Sequence, residues 1–282
     1  MDWLRQWNLA LDYLEEHLDK EIDLEQVGRL ACCSPYHFQR MFSYLGGVPL
    51  SEYVRRRRMT RAAVDLQNGD KVLQVAARYG YESPTAFNRA FQSVHGLPPS
   101  AARREGVKLK SYPRIRFKFV LKGDTEMEYQ IVSRPAFRIV GLRTPLPSDV
   151  DEGFLMVPRF WAEAGPRIPE LLPLMEEDIP GVLGISTCQK EQDNFYYIAV
   201  ATQRPAPEGL WEEEIPACTW AVFTGHGPMP ETMQELQKRI VSEWLPESGY
   251  EWAQAPDVEV YLSMPGEAEP RFQVWLPVCR PA

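Results

Sequence analysis

Two arginines, Arg40 and Arg89, occupy the same position in two copies of one pattern, SPYHFQRMFSYLGGVPLS (34–51) and SPTAFNRAFQSVHGLPPS (83–100), which start 49 residues apart. The planar guanidinium group of arginine can donate two parallel hydrogen bonds to a pair of acceptors and can neutralise an anion. The copies also share the serine and proline that open them, two phenylalanines, and a glycine and a proline near the end. This pattern indicates polar recognition by two equivalent elements of one chain.

Each copy has the composition of an amphipathic helix that begins at its proline. Serine is a good N-cap because its hydroxyl accepts hydrogen bonds from first-turn backbone N–H groups, and proline fits the first helical position. The paired phenylalanines lie four residues apart on one buried face, which leaves Arg40 and Arg89 facing away. Apolar residues at helical spacing in 23–31 and 71–79 predict a helix before each copy, separated from it by a very short break. Helix, tight turn, helix is the helix-turn-helix pattern, whose second helix lies in the major groove of DNA.

A single long helix is predicted over 50–69, with an apolar stripe along one side and an end at Asn68 and Gly69. A helical bundle with a duplicated helix pair and no ligand is the alternative, since helix pairs are common. DNA binding is favoured by the duplication, by the short polar and arginine side chains on the outward face of each second helix, and by the four adjacent cations Arg55 to Arg58.

Charge divides the chain into two parts. Residues 1–126 hold 20 Lys and Arg against 15 Asp and Glu, a net charge of +5, and residues 127–282 hold 11 against 24, a net charge of −13. A basic half can contact a polyanion such as DNA, whereas an acidic half attracts cations.

The sequence lacks the residue patterns that are typical of metal binding, redox chemistry, nucleophilic catalysis and phosphate binding. The five cysteines form no CxxC pair, the four histidines show no metal-ligand spacing, and no nucleophile triad or phosphate-binding loop occurs. The sequence has no apolar run long enough for a membrane helix, and its first residues do not have the pattern of a signal peptide. We therefore expect a two-domain cytoplasmic protein with no catalytic residues, no metal, no cofactor and no membrane contact.

The stretches YHFQRMF, GVPLSEYVRRRRMTRAAVDL and VAARYGYESPTAFNRAFQSVHGLPPSAAR resemble the DNA-binding domain of the AraC/XylS family of bacterial transcription regulators. The resemblance covers residues 1–108 and implies seven helices, with two helix-turn-helix units in successive major grooves about 34 Å apart. Arginine suits guanine, and asparagine or glutamine suits adenine. Double-stranded DNA and RNA polymerase are the expected macromolecular partners. The resemblance places the base contacts on three residues of each second helix, namely Tyr36, Gln39 and Arg40, and Thr85, Asn88 and Arg89.

Two further features of this half bear on DNA binding. Arg55 and Arg57 are interpreted as phosphate-side or solvated charges, which position a protein on DNA without reading its sequence. Cys32 stands in the first turn where Gly80 stands in the second, so the first recognition helix is expected at a slightly different angle.

The second half of the chain is a fainter duplication. Segments 133–147 and 214–230 each predict a strand entered through Pro-Ala, and each is followed by a helical stretch and a hairpin-like pair of strands. This order of strand, helix, strand and strand occurs twice, and it predicts an α+β domain over 127–282 with a cleft at its pseudo-twofold axis. Residues 109–126 form the junction, in which RIRFKFVLKG alternates like a strand.

The stretches IPACTWAVFTGHGPM, VEVYLSMPG and FQVWLPV resemble the GyrI-like effector domain, which binds small molecules in bacterial regulators. The expected fold class is thus an all-α double helix-turn-helix domain followed by an α+β GyrI-like domain. The resemblance implies that Glu259 of the E-x-Y motif faces aromatic side chains and neutralises a lipophilic cation, by charge and cation–π attraction. Tyr261 shares the strand face of Glu259 by the two-residue period, and Tyr196 and Trp161 are further candidates. The alternative for Glu259 is an exposed strand glutamate.

Three functions are compatible with these patterns. We expect a sequence-specific DNA-binding transcription regulator controlled by a small-molecule effector. The first alternative is a GyrI-like hydrolase of reactive small molecules that uses Glu and Tyr as an acid/base pair. The second is a regulator whose second domain only contacts a protein partner. The helix-turn-helix units favour a regulator, because a hydrolase needs no recognition helices.

Overall fold

The computed structural model of the chain describes residues 3–117, 126–147, 150–176, 178–187, 194–253, 255–263 and 269–280. The chain divides into two compact units: a helical unit formed mostly by residues 4–118 and a sheet unit formed mostly by residues 119–282. An all-α part followed by an α+β part is the fold class that the sequence predicts.

Between residues 3 and 117 the chain forms seven helices, the number expected from the family resemblance. The pairs α2–α3 and α5–α6 are the two helix-turn-helix units, and α4 is the long helix between them. The helices are α1 Trp3–Glu16, α2 Leu24–Ala31, α3 Pro35–Gly46, α4 Leu50–Gln67, α5 Val72–Arg78, α6 Pro84–His95 and the 3₁₀ helix Pro99–Arg103.

The repeated pattern anchors the second helix of each unit in the core. All four phenylalanines of the pattern are fully buried, as their spacing predicts. The Ser83 hydroxyl accepts hydrogen bonds from the N–H groups of Thr85 (3.2 Å) and Ala86 (3.4 Å), and Gly96 ends α6 with a φ of 76°. The predicted apolar stripe of α4 is also buried at Tyr53, Met59, Ala62, Ala63 and Leu66.

The turns between the helices of the two units have the same left-handed backbone. Cys32 has a φ of 57° and Gly80 a φ of 79°. The cysteine therefore follows the conformation that glycine adopts in the other unit, which removes the reason for expecting a different angle of the first recognition helix. The left-handed conformation costs a residue with a Cβ atom about 1–2 kcal/mol, so the first turn is strained.

Residues 109–117, here called the strap, run as an extended segment along the helical unit. Side chains from α1, α4 and α6 accept hydrogen bonds from the strap backbone, so one segment bridges both ends of the unit. The compact helical unit accordingly reaches residue 118. The strand predicted over 114–123 is extended but unpaired at 114–117, and its remaining residues lie outside the described part of the chain. The acceptors are His95 Nδ1 for Lys110 N–H (3.2 Å), Thr60 Oγ1 for Tyr112 N–H (3.1 Å), the Tyr53 hydroxyl for Ile115 N–H (3.3 Å) and Asn8 Oδ1 for Phe117 N–H (3.1 Å).

A buried ion pair joins α1, α4 and the strap. Arg57 Nε and Nη2 donate to the two carboxylate oxygens of Glu15 at 2.7 and 2.8 Å, and the Tyr53 hydroxyl donates to Oε1 at 2.7 Å. Arg57 also donates to the carbonyl of Tyr112 in the strap. Burial acts to raise the pKa of Glu15, but the hydrogen bonds from Arg57 and Tyr53 and the nearby arginine charges outweigh it, so the pKa of the carboxyl group lies below its ordinary value.

The described residues of the sheet unit form nine strands in one antiparallel sheet of order β1-β6-β9-β8-β3-β4-β2-β5, with β7 beside β9. The strands are β1 Tyr129–Arg134, β2 Phe137–Pro145, β3 Val182–Thr187, β4 Phe195–Ala201, β5 Trp211–Ile215, β6 Cys218–His226, β7 Glu251–Trp252, β8 Val258–Tyr261 and β9 Arg271–Cys279. The helical segments are α7 Val150–Ala164, α8 Ile168–Leu171 between 3₁₀ turns Gly165–Arg167 and Leu172–Leu174, and α9 Glu231–Arg239, which continues through the π-helical turn Ile240–Trp244 into α10 Leu245–Glu247.

The predicted duplication is confirmed in the order β2-α7-β3-β4 and β6-α9-β8-β9. The halves meet where β3 pairs with β8, and the register of this pair sets Gly184 opposite Glu259. The strand that carries the candidate carboxylate therefore lies at the centre of the sheet, at the pseudo-twofold axis.

Replacing the strained turn residue should stabilise the helical unit. We expect Cys32→Gly to raise the free energy of unfolding by about 1 kcal/mol, because the relief of left-handed strain exceeds the added chain entropy of glycine. Urea unfolding of the full chain, followed by loss of helical circular dichroism, measures the change. Gly80→Ala is the matched reverse change and should destabilise. A loss of stability in Cys32→Gly would contradict the assigned strain.

Removing the buried carboxylate charge should destabilise the helical unit strongly. Glu15→Gln leaves Arg57 buried without its counter-charge, so we expect a loss of about 3–5 kcal/mol near neutral pH. The folded pKa of Glu15 lies below its unfolded value, so the stabilisation is present above the unfolded pKa and is lost as pH falls through the folded pKa. The variant should therefore lose less stability than the parent between pH 7 and pH 3.

Glu52→Gln is the matched control for this change, because Glu52 also bonds an α4 arginine but has a more exposed side chain (25% against 3% for Glu15). It should cost about 0–1 kcal/mol. The same urea titrations measure both variants. Equal losses in the free energy of unfolding would show that the Glu15–Arg57 pair stabilises the unit no more than the exposed pair does.

Candidate functional sites

The second recognition helix, α6, presents its predicted base-contacting residues to solvent. Thr85 and Arg89 are exposed and Asn88 is half-buried, while the alternate face carries buried Phe87 and Phe91. The apolar face fixes the rotation of the helix, and the cap at Ser83 fixes its start. The geometry leaves a short polar surface with one guanidinium group, which suits hydrogen bonding to base edges in a major groove.

The first recognition helix, α3, differs from this arrangement. Tyr36 and Gln39 are half-buried, and Arg40 is only 7% exposed. The outward position predicted for Arg40, on the side of α3 away from Phe38 and Phe42, stays a prediction. A helical period separates the two sides of a helix, but it cannot show that the polar side meets water. Base contacts by these three residues stay a prediction.

The run of arginines in α4 also differs from its interpretation as solvated charge. The Arg57 side chain is 13% exposed and forms the buried pair with Glu15. Arg55 donates to both oxygens of Glu52, at 2.7 and 2.8 Å, and to the Ser93 hydroxyl at 2.6 Å. The phosphate-side role expected for Arg57 is corrected to a structural role, because its donors are already directed at a carboxylate and a carbonyl inside the unit.

In the sheet unit, the four predicted ligand residues lie together. The hydroxyls of Tyr261 and Tyr196 donate to Glu259 Oε2 at 3.0 and 3.4 Å. The Trp161 indole N–H donates to the Tyr196 hydroxyl at 2.9 Å, and its ring lies 4.4 Å from the ring of Tyr261 between centroids. Burial, followed by the charge of Glu259, raises the pKa of Tyr261 well above its ordinary value, so its hydroxyl keeps its proton and acts as a donor. A carboxylate bordered by aromatic rings is the result.

Sequence reasoning missed Gln237, which completes this cluster. Its side-chain amide donates to Glu259 Oε1 at 2.8 Å, and the residue is 3% exposed. The available signal was its position on α9, where Met233 and Ile240 lie four residues before and three residues after it and are both buried. A glutamine inside an apolar helical stripe indicates an amide with a buried partner.

Gly184 was also missed, although a glycine inside a strand pattern indicates close approach of another group. A Cβ atom at this position would overlap the Tyr196 hydroxyl and lie 3.2 Å from Glu259 Oε2. The glycine therefore provides the space in which the carboxylate and the phenol meet.

An open cavity of about 350 Å³ lies along α7 and shares Phe160 with this cluster, since the Phe160 ring packs edge-on against Tyr196 at 6.4 Å between centroids. Its other lining residues are Thr144, Glu152, Leu155, Met156, Arg159 and Glu163. Phe160 thus links the wall of this cavity to the aromatic part of the cluster.

Two further properties concern only the described residues. No group of three or more His, Cys, Asp or Glu side chains there is arranged to hold a metal ion. No helix in that part of the chain is long and apolar enough to cross a bilayer.

Comparison with protein families identifies both parts of the chain. Residues 127–278 match the GyrI-like small molecule binding domain, and residues 27–105 match a helix-turn-helix domain. The chain belongs to the GyrI-like family and carries an AraC-type DNA-binding domain at its N-terminus. It is a transcription regulator of the AraC type whose second domain binds a small-molecule effector.

Individual proteins are similar to different shares of this chain. The multiple antibiotic resistance protein MarA of Escherichia coli is 34% identical over 102 residues, which cover 36% of this chain and 80% of MarA. The transcriptional regulator Rob of Salmonella typhimurium is 28% identical over 204 residues, covering 69% of this chain and 68% of Rob. The structure of SAV2435 bound to tetraphenylphosphonium is similar to 54% of this chain and 94% of its own, with 18% identity and a TM-score of 0.46.

The exposed arginine of α6 should contribute to sequence recognition. We expect Arg89→Ala to weaken binding to a duplex selected from a random pool by about 1–3 kcal/mol, with little change in binding to unrelated DNA. Fluorescence anisotropy at one salt concentration measures both affinities. Arg104→Ala removes the same charge outside α6 and should leave the ratio of the two affinities unchanged. If Arg89→Ala left the ratio of the affinities for selected and unrelated DNA unchanged, Arg89 would not be a base contact.

Proposed function

We propose that the GyrI-like domain binds a lipophilic organic cation beside Glu259 and that the bound cation controls transcription through the DNA-binding domain. The observation that carries this proposal is the convergence of the Glu259 carboxylate with Tyr196, Tyr261 and Trp161 in one cluster. The Tyr196 ring of this cluster packs against Phe160, which lines an open cavity. A carboxyl group among aromatic rings has the residue types that bind organic cations.

The surroundings of the charge favour an organic cation over a metal ion or a small hydrated ion. The Trp161 and Tyr261 rings offer aromatic surface, and the π-face of an aromatic ring attracts a cation placed over it. Attraction between a carboxylate and a cation is also stronger where protein replaces water. The net charge of −13 over residues 127–282 adds a long-range attraction for cations.

We further propose that Glu259 and Tyr261 bind and do not catalyse, which sets aside the hydrolase alternative. A general acid works best when its pKa lies near the working pH. The pKa of Tyr261 is raised well above its ordinary value of 10, so this hydroxyl is a poor proton donor to a reacting group near neutral pH.

Two further parts of the proposal, a location and a partner, follow from DNA binding by the helical unit. A protein that regulates bacterial transcription acts where the chromosome is, so we propose a cytoplasmic location. We also propose direct contact with RNA polymerase as the way in which DNA binding is converted into a change of transcription.

Removing the charge of Glu259 should separate cations from neutral ligands. We expect Glu259→Gln to weaken binding of tetraphenylphosphonium by about tenfold or more, because the amide keeps the shape of the carboxylate but not its charge. Binding of triphenylphosphine oxide, a neutral compound with similar aromatic groups, should change by less than about threefold. Isothermal titration calorimetry on the full chain measures both affinities.

Glu235→Gln is the matched control, since Glu235 lies on the exposed face of α9 and the change removes the same charge. It should leave both affinities unchanged. If both variants weakened cation binding equally, Glu259 would act only as part of the general surface charge. Absence of cation binding by the parent chain would favour a second domain that only contacts a protein partner.

A further inference from the structure

Two cysteines stand opposite each other where β6 begins and β9 ends. The register of this antiparallel pair runs to Thr219 opposite Val278, and the next residues outward are Cys218 on β6 and Cys279 on β9. Side chains directly opposite in an antiparallel pair project from the same face of the sheet. Both residues are free cysteines in this structure. The sheet therefore places two thiols side by side, although α9, β7 and β8 lie between them in the sequence.

The hydrogen-bonding pattern of β9 determines how close the two cysteines come. Ala253 N–H donates to the Pro277 carbonyl at 3.0 Å, so the backbone polar groups of Pro277 point away from β6. Backbone groups alternate sides along a strand, so Cys279 is oriented like Pro277 and forms a non-hydrogen-bonded pair with Cys218. Opposite residues in such a pair have Cα atoms about 4.5 Å apart. A disulfide requires a Cα separation of about 4.4–6.8 Å, so the strands already have a suitable spacing.

The ionisation of the two thiols also reflects their closeness. Burial is the main cause that raises the pKa of Cys218 above its ordinary value, and a negative charge on Cys279 raises it further. Burial, followed by the charge of Glu251, raises the pKa of Cys279. Both sulfurs therefore carry their protons near neutral pH, and each is a weaker nucleophile there than an ordinary cysteine.

The two cysteines differ in their access to solvent. Cys279 is exposed, whereas Cys218 is half-buried and packs against the apolar core of the sheet. A reagent from solution therefore reaches the sulfur of Cys279 first. Cys218 is then the neighbouring thiol that can attack whatever has become attached to Cys279.

We propose that Cys218 and Cys279 form a thiol–disulfide exchange site, which reacts with low-molecular-weight disulfides such as glutathione disulfide and closes into a bond between β6 and β9. The Cys279 thiolate attacks one sulfur of the reagent, which forms a mixed disulfide and releases one glutathione thiolate. Cys218 loses its proton and attacks the Cys279 sulfur, which releases the second glutathione. The released thiolates take up the two protons that the cysteines lose, so the pair is oxidised by two electrons and the reagent is reduced. The site does not depend on the proposed effector.

The test incubates the folded full chain with glutathione disulfide at pH 8, blocks the remaining thiols by alkylation and maps the cysteines by peptide mass spectrometry. We expect peptides that are linked through Cys218 and Cys279 and that dithiothreitol separates. Because the closed loop constrains the unfolded chain, the oxidised protein should have a thermal unfolding midpoint about 5 °C or more above that of the reduced protein.

Serine variants separate the roles of the two thiols. Cys218→Ser should retain glutathione on Cys279, because no second thiol remains to release it. Cys279→Ser should take up glutathione at Cys218 about tenfold more slowly or less, because the remaining thiol is half-buried. Cys32→Ser is the matched control: it removes another exposed thiol, in the turn between α2 and α3, and should keep both the link and the shift in unfolding temperature.

The linkage map of the parent chain decides the proposal even where a serine variant does not fold. Treatment that leaves Cys218 and Cys279 as thiols, or as separate glutathione adducts, would overturn it. A bond from either of them to a different cysteine, or between two chains, would overturn it as well.

Discussion

Removing a carboxylate from water is the constraint on which both units of this protein depend. A desolvated negative charge is costly unless the protein supplies hydrogen bonds or an opposite charge. Glu15 in the helical unit receives both from Arg57 and a further bond from Tyr53. Glu259 in the sheet unit receives its bonds from a glutamine and two tyrosines. The first arrangement pairs the carboxylate with an arginine inside the fold, whereas the second holds a carboxyl group among a glutamine and two tyrosines.

The ion pair at Glu15 also explains why the strap belongs to the DNA-binding unit. Arg57 bonds Glu15 on α1 and the Tyr112 carbonyl in the strap, so the same guanidinium group holds three parts of the chain. His95 on α6 donates through Nε2 to the Met59 carbonyl and accepts the Lys110 N–H at Nδ1, which requires the neutral ring. Burial lowers the pKa of His95 and favours that form. The last helix of the second helix-turn-helix unit and the first helix of the chain are thereby tied to one extended segment.

Local sequence patterns predicted the helices and strands and which residues share a face. They could not predict contacts between elements that are far apart in the sequence. Capping at Ser83 and the phenylalanine spacing depend on residues within one turn or two, so α6 was predictable from its own sequence. The two-residue period of a strand likewise placed Tyr261 beside Glu259. No local pattern distinguishes Arg57 from its neighbours in RRRR, because its partner Glu15 lies on another helix 42 residues earlier. Gly184 faces Glu259 only through the pairing of β3 with β8, which joins the two halves of the duplication.

Both duplications keep many apolar positions and differ at polar ones, among them the predicted site residues. The phenylalanines of α3 and α6 are equally buried, but their polar neighbours differ, with Tyr36 and Gln39 in α3 where α6 has Thr85 and Asn88. In the sheet unit the two halves supply equivalent strands, β3 and β8, but one contributes a glycine and the other a glutamate to the same pair. Apolar positions in both copies must fill a core of the same shape, so packing keeps them alike. Polar positions on the other face are free of that requirement, and the glycine of one half leaves the space that the carboxylate of the other half needs. The candidate site at the junction of the two similar halves therefore depends on their asymmetry, and the symmetric part supports it.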